Sequence, residues 1–222
     1  MITLKDVSYG YDSEYIVDHV NVVLPKKAGC ILLAGENGAG KSTLLQVLCG
    51  LFPTDEGEVL REKGTTIAYL PFHHPLYLHL TVLENLRYFY RSFRGQNFVE
   101  TDPQVQAVFQ VLGIDFLHQR LDQCSSGQAQ KAGIACILLS DADMFVLDEP
   151  FVALDAQSSE RLCAYLQALG NRHTILITSH TAEHLAPLAQ RLLFLKDKTI
   201  QLDTQDAKQI QAFCKGECYD TL

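Results

Sequence analysis

The sequence has no apolar run long enough to cross a bilayer as a helix. Its longest uninterrupted apolar stretches, such as residues 134–139, fall far short of the roughly 18–20 residues a spanning helix needs. The opening residues, MITLKDVSYGYD, lack the basic start and apolar core of a secretory signal. These absences predict a cytoplasmic protein whose dealings with a membrane go through a partner. A basic cluster is also missing. The 18 Lys and Arg are outnumbered by 26 Asp and Glu, for a net charge of −8. Phosphate backbones are gripped by clustered cations, so nucleic acid is not the expected partner. There is no CxxC pair. The seven cysteines are odd in number and scattered, which reads as reduced thiols, several of them filling a core. A metal pair at Cys214 and Cys218, four residues apart, is the less favoured reading. Finally, no internal repeat, low-complexity tract or Pro/Ser-rich linker interrupts the chain. With 222 residues, 47% hydrophobic and 20% charged, it reads as one large domain, or one domain with an inserted lobe.

What is present follows a strand–helix order. Residues 2–9 and 20–24 alternate as short strands, and residues 30–34 form a continuous apolar run, the pattern of a strand buried on both faces. A helix is expected over 41–49, closed by Gly50 and Pro53. A turn at 55–58 leads to short strands at 58–60 and 66–70. From about residue 72 to 130 the pattern becomes helical. Thr81 and Glu84 make a capping box, followed by Leu83, Leu86, Phe89, Tyr90 and Phe93 at helical spacing. Another helix fits 103–112 and stops at Gly113. Strand–helix alternation then returns: strands at 144–147 and 174–178, helices at 158–169 and near 181–188, a hairpin of 192–195 with 199–202, and a helix over 205–213. The expected fold class is α/β, with parallel strands covered by helices and a helical insert between two halves of the core.

Gly35-Glu36-Asn37-Gly38-Ala39-Gly40-Lys41-Ser42-Thr43 matches G-x-x-x-x-G-K-[ST] and stands between a buried strand and a helix, as a phosphate-binding loop must. The glycines let backbone N–H groups turn inward onto phosphate oxygens, and the helix N-terminus adds positive partial charge. Lys41 reaches the β- and γ-phosphates. The Ser42 hydroxyl is a hard oxygen ligand suited to Mg²⁺. Alone, this loop specifies only a nucleoside triphosphate. The apolar strand 144–147 ends in Asp148-Glu149, at the strand end where open α/β sheets place ligands. Asp148 can hold Mg²⁺ through water, and Glu149 can polarise an attacking water.

With these residues in view, the chain resembles the ATP-binding-cassette family. Cys124-Ser125-Ser126-Gly127-Gln128 is similar to the family signature LSGGQ at a helix start. Ala153-Leu154-Asp155 resembles the D-loop, and His180 the switch histidine. Tyr11 resembles the aromatic that stacks on adenine, with Tyr9 as its rival. The resemblance covers nearly the whole chain and preserves the family's order. It implies a RecA-like core with an N-terminal antiparallel β-subdomain (about 1–71 and 131–222) and an inserted helical lobe (about 72–130). It implies Mg-ATP as ligand, Glu149 and His180 as catalytic groups, and Ser42 with Asp148 on the metal. It further implies a head-to-tail dimer, with a second copy or a related cassette, in which Ser125, Ser126, Gly127, Gln128 and Asp155 meet the partner's ATP. A separate transmembrane permease would then be energised from the inner face of the cell membrane.

Two departures stand out. The family's Q-loop glutamine would fall near Phe72, which cannot ligate Mg²⁺ or hold a water; His73 or His74 is the alternative substitute. Ser126 stands where the signature has its first glycine, which predicts crowding of the nucleotide and weaker dimerisation. Zinc at His180 and His184, or at His73, His74 and His79, is the less favoured reading for lack of a convincing ligand set. Some of the apolar residues Phe72, Leu76, Tyr77, Leu78 and Leu80, with Tyr88, Phe89 and Tyr90, are either lobe core or a contact for a membrane subunit. Within the family, the strings at 80–86 and 147–151 also resemble the haem-handling ATPase of cytochrome c maturation. A soluble cassette acting on ribosomes or DNA would normally carry two cassettes, coiled coils or basic tails. A nucleoside kinase or GTPase is disfavoured by the signature, the histidine and the lack of an NKxD-type motif.

Overall fold

Antiparallel pairing dominates the N-terminal residues. In the computed structural model, which describes residues 1–12, 14–73, 75–179 and 185–216, strands β1 (Ile2–Tyr11) and β2 (Glu14–Leu24) form a long hairpin. β4 (Glu56–Arg61) joins it on the other side, for the order β2-β1-β4. β2 is longer than the expected 20–24. The register shifts between β1 and β2, with Asp6 and His19 at positive φ, break the two-residue alternation that marks a strand in sequence. The bulge is held by the His19 Nδ1–Asp6 contact of 2.8 Å.

The second sheet is α/β in character. β3 (Gly29–Ala34) is buried throughout and lies between two parallel neighbours, β7 (Thr174–Thr178) and β8 (Arg191–Lys196). With β5 (Ile67–Leu70), β6 (Met144–Leu147) and β9 (Thr199–Thr204), the order is β5-β6-β7-β3-β8-β9, and only β9 is antiparallel. Alternate side chains of β3 feed two cores. Ile31 and Leu33 pack with α1 (Lys41–Cys49) and the three-stranded sheet, while Cys30, Leu32 and Ala34 face the helical side. That two-sided burial explains the unbroken apolar run. Arg191 clasps the two sheets: it forms a forked pair with Asp203 (2.7 and 2.6 Å) and donates to the Val23 carbonyl at 2.7 Å.

Between β5 and β6 come α2 (Val82–Arg94), α3 (Pro103–Leu112) and α4 (Ser126–Leu138). The Thr81–Glu84 capping box is present at the start of α2. α4 begins inside the expected insert and runs through residue 130 into the core, where its apolar side chains join the same buried cluster as those of α5 (Ala156–Gly170). The chain closes with α6 (Ala207–Cys214). The helix expected near 181–188 lies partly outside the described residues; Leu185 and Leu188, just after, are buried in the core. No described helix is long and apolar enough to cross a membrane.

The consequence for function is topological. β7 sits between β6 and β3, so the C-terminal ends of these three strands are neighbours. One end carries the phosphate-loop sequence, another Asp148-Glu149, and the third Thr178.

Candidate functional site

The phosphate loop joins β3 to α1. Gly40 occupies the N-cap with φ 98°, and an added Cβ would stand 3.0 Å from both Ile16 Cγ2 and the Ile16 carbonyl. Conformation and close approach by β2 therefore both require glycine here. No side chain caps α1, in contrast to α2 through α6, so its first-turn N–H groups keep their affinity for an anion. Lys41 is buried. Its Nζ donates to the Gly35 carbonyl at 2.7 Å and the Glu36 carbonyl at 2.9 Å, which closes the loop on itself and uses two of three donors. Burial lowers the Lys41 pKa, and the charges of Glu149 and Asp148 work against that lowering.

Asp148 is 2% exposed. Its Oδ1 accepts a 2.6 Å hydrogen bond from the Thr178 hydroxyl. Glu149 has φ 51°, a left-handed conformation that costs a non-glycine residue on the order of 1–3 kcal/mol. It is held there by its N–H, which donates to the same Thr178 Oγ1 at 2.9 Å. Gln130 of α4 reaches the following turn and donates to the Pro150 carbonyl at 3.1 Å. The Tyr69 hydroxyl is buried without a hydrogen-bond partner among the described residues; burial, then the charge of Asp148, pushes its pKa well up.

These elements meet in an open cleft of about 610 Å³. Asn37, Gly38, Gly40, Lys41, Ser42 and Thr43 of the loop and helix start line it together with Asp148 and Glu149. Tyr11, Ile16, Phe72 and Val152 complete the lining. Tyr11 is half-exposed, whereas Tyr9 is buried and stacked on Phe52 at 5.1 Å, so only Tyr11 offers a ring to the cleft. Gly35, Glu36 and Ala39 do not line it: the first two accept from Lys41, and the latter two line an adjoining groove. Among the described residues of its loop, Phe72 lines the cleft. His73 is exposed and packs edge-on against it at 4.8 Å. His74 and His180 lie outside the described residues.

The signature-like residues are elsewhere. Ser125, Ser126, Gly127 and Gln128 do not line this cleft. Ser125 caps α4, its hydroxyl accepting from Gln128 N–H at 3.2 Å while its own N–H donates to Gln128 Oε1 at 2.9 Å. Ser126 is exposed. Gly127 faces the Ala153 carbonyl, only 2.7 Å from where a Cβ would be. Asp155 caps α5 through Ser158 (N–H and hydroxyl, both 2.8 Å) and pairs with Lys131 of α4 at 3.2 Å. The Ser158 N–H first, then its hydroxyl and Lys131, hold the Asp155 carboxyl far below the usual carboxylate range. The signature helix is thus tied within one chain to the segment carrying Glu149.

The sequence reading missed Ile16, Val152, Thr178 and Tyr69. None belongs to a motif, and each reaches the site through strand pairing or loop return; only the polar ends of Thr178 and Tyr69 in apolar strands were a usable signal. Among the described residues no group of three or more His, Cys, Asp and Glu gathers around one point. His79 instead contacts Asp122 at 3.3 Å, and Cys214 is buried, with Cys218 outside the described residues. For Mg²⁺ the residues fit in kind: a hydroxyl at Ser42 and a carboxylate at Asp148 face one cleft, both hard oxygen donors.

Comparison with known proteins places the chain in a family. The family model described as ABC transporter matches residues 17–152. An uncharacterised ABC transporter ATP-binding protein of Haemophilus influenzae is 31% identical over 199 residues, covering 88% of this chain and 82% of that protein. The sulfate/thiosulfate import ATP-binding protein of Mycobacterium tuberculosis is 33% identical over 213 residues; the match takes in 90% of this chain but spans only 60% of that relative's length. Among solved structures, a dimeric ATP-binding cassette in a post-hydrolysis state bound to ADP and Pi shares the fold, with a TM-score of 0.80 at 24% identity, over 92% of this chain and 98% of that one.

Proposed function

This chain belongs to the ABC transporter family as an ATP-hydrolysing domain, and we propose that it energises a separate membrane-embedded permease by ATP-driven head-to-tail pairing with a second copy or a related cassette. The observation that carries the reading is the division of the site. Lys41, Asp148 and Glu149 converge on one cleft, while Ser125 to Gln128, with Ser125 and Ser126 exposed, take no part in its lining. In this reading the signature residues that stay out of the chain's own cleft serve another cassette turned head to tail.

In this reading Tyr11 stacks on the adenine, and the N–H groups of the loop and α1 cradle the phosphates. Lys41 balances the β/γ charge. Bound Mg²⁺ supplies a Lewis acid that neutralises developing charge on the phosphate oxygens; Ser42 and Asp148 are the residues that would hold it. Glu149 orients the attacking water and takes its proton. Ser125, Ser126, Gly127 and Gln128 of the other copy close over the γ-phosphate, with Asp155 lending rigidity from α5 and His180 as a further γ-phosphate contact. We read residues of about 72–130 as a helical lobe set on a core of about 1–71 and 131–222. Tyr77, Leu78, Tyr88 and Phe93 are exposed on that lobe, Tyr77 and Tyr88 meeting edge-to-face at 5.0 Å. Such an apolar surface suits a membrane subunit, which would keep the protein on the inner face of the cell membrane.

The test pairs two variants. Lys41→Ala should lose most ATP affinity in a calorimetric titration. Glu149→Gln should slow hydrolysis by roughly 10²–10⁴ yet bind ATP normally and run as an ATP-dependent dimer in light scattering. Unchanged turnover in Glu149→Gln would remove that residue from the chemistry, and failure to dimerise with ATP would remove the head-to-tail reading.

A further inference from the structure

Thr178 belongs to none of the motifs above, yet its hydroxyl is the point at which the two acidic residues are joined. Thr178 is the last residue of β7, fully buried, between Leu33 of β3 on one side and the end of β6 on the other. Its hydrogen-bond roles are unambiguous. The Glu149 N–H can only donate, so at 2.9 Å it takes a lone pair of Oγ1. The hydroxyl proton is then free for Asp148 Oδ1, at 2.6 Å. One side chain thus orients the Asp148 carboxylate and pins the left-handed backbone from which the Glu149 side chain leaves the strand. Thr178 is fully buried and Asp148 only 2% exposed, so the bond between them acts at low local dielectric, where a hydrogen bond to a carboxylate is strongest.

We propose that Thr178 is a positioning residue for ATP hydrolysis: it sets the metal-side carboxylate of Asp148 and the water-side carboxylate of Glu149 in register with each other. The inference rests on the reading of Asp148 and Glu149 given above. It makes Thr178 a part of the site that acts only through its two neighbours. The proton it donates stays on its oxygen throughout, and no bond to substrate is required.

The experiment compares Thr178→Val and Thr178→Ser with wild type in the full chain. Valine keeps the β-branched shape and strand preference but deletes both hydrogen bonds; serine keeps the hydroxyl. Three quantities are read: kcat and KM for Mg-ATP, the gain in ATP affinity on adding Mg²⁺ to a metal-free titration, and melting without nucleotide. Thr178→Val should lose kcat on the order of tenfold or more, with KM changed less than about threefold, because the loss falls on alignment and not on the phosphate loop. The Mg²⁺-dependent gain in ATP affinity should shrink in the same variant. Thr178→Ser should return both toward wild type. Wild-type kcat in Thr178→Val overturns the proposal. So does a loss accompanied by an unchanged Mg²⁺-dependent gain and lowered melting, which is the behaviour of a merely structural threonine. If the valine variant does not fold, Thr178→Cys, nearly isosteric with serine and a weak donor, takes its place under the same criteria. Asp148→Asn and Glu149→Gln are run alongside. If those two hydrolyse ATP normally the parent reading has failed; if they are inactive while Thr178→Val is normal, this inference alone has failed.

Discussion

Replacing Gly127 by alanine sets two physical effects of opposite sign against each other. Within a helix, alanine is favoured over glycine by about 1 kcal/mol, so an unobstructed substitution in the first turn of α4 would stabilise the protein. Here the new Cβ would lie 2.7 Å from the Ala153 carbonyl oxygen. Ordinary carbon–oxygen contacts sit at about 3.3–3.6 Å, so that carbonyl must retreat by roughly 0.6 Å or more. The obstacle is backbone, and it is held: Ala153 is at φ 63°, Gln130 grips the Pro150 carbonyl at 3.1 Å, and Lys131 grips Asp155 at 3.2 Å. Overpacking against a fixed wall costs about 1–3 kcal/mol. The sum is a net destabilisation of about 1 kcal/mol, a fall in melting temperature of about 2–4 °C for a chain of this size. The assay is thermal unfolding of the nucleotide-free protein, since ATPase activity would also report the variant's effect on the nucleotide. A rise in melting temperature would refute the argument, because it would mean that the Ala153 carbonyl does not confine Gly127.

Three further outcomes follow from the site. Tyr11→Ala should weaken ATP binding by about tenfold with melting unchanged, as expected for loss of one base–aromatic stack, whereas Tyr9→Ala should lower melting sharply because Tyr9 is buried against Phe52; the reverse pattern in calorimetry and thermal unfolding would exchange their roles. Phe72→Gln should raise the basal ATPase rate by returning a polar group to the cleft wall, while His73→Ala should leave it unchanged, because Phe72 is the one that lines the cleft. At acid pH the Asp155 cap should matter in a defined direction. Its folded pKa is depressed, so its contribution is present above the unfolded value of about 3.9 and is lost as pH falls through the folded value. The stability deficit of Asp155→Ala relative to wild type should therefore be full at neutral pH and shrink below about pH 4; a deficit that grows on acidification would contradict the assignment.

Much of this protein was legible because its motifs are local. A glycine-rich loop before a helix, a carboxylate pair after an apolar strand and a capping box each declare themselves within a few residues, since backbone conformation and capping are decided by near neighbours. The buried strand 30–34 and the helix 41–49 were readable for the same reason, and both are present as β3 and α1. Even so, β2 was read too short, because a bulge disrupts the alternation on which strand recognition depends.

What the one-dimensional pattern could not contain is adjacency between distant residues. Whether Tyr9 or Tyr11 faces the cleft is a matter of packing: Tyr9 is buried and stacked on Phe52, a contact across more than forty positions of chain, while Tyr11 meets Phe52 only edge-on and stays half-exposed. Phe72, not His73, lines the cleft because of how its loop returns past the strand ends. Gly127 confronts Ala153, and Thr178 bridges Asp148 and Glu149, only because α4 is packed on the turn after β6 and because β7 is inserted between β6 and β3. Residue type and spacing thus determined the chemistry that this chain can perform. Strand order and helix packing, which bring together groups that share no local signal, decided which side chains hold that chemistry in place.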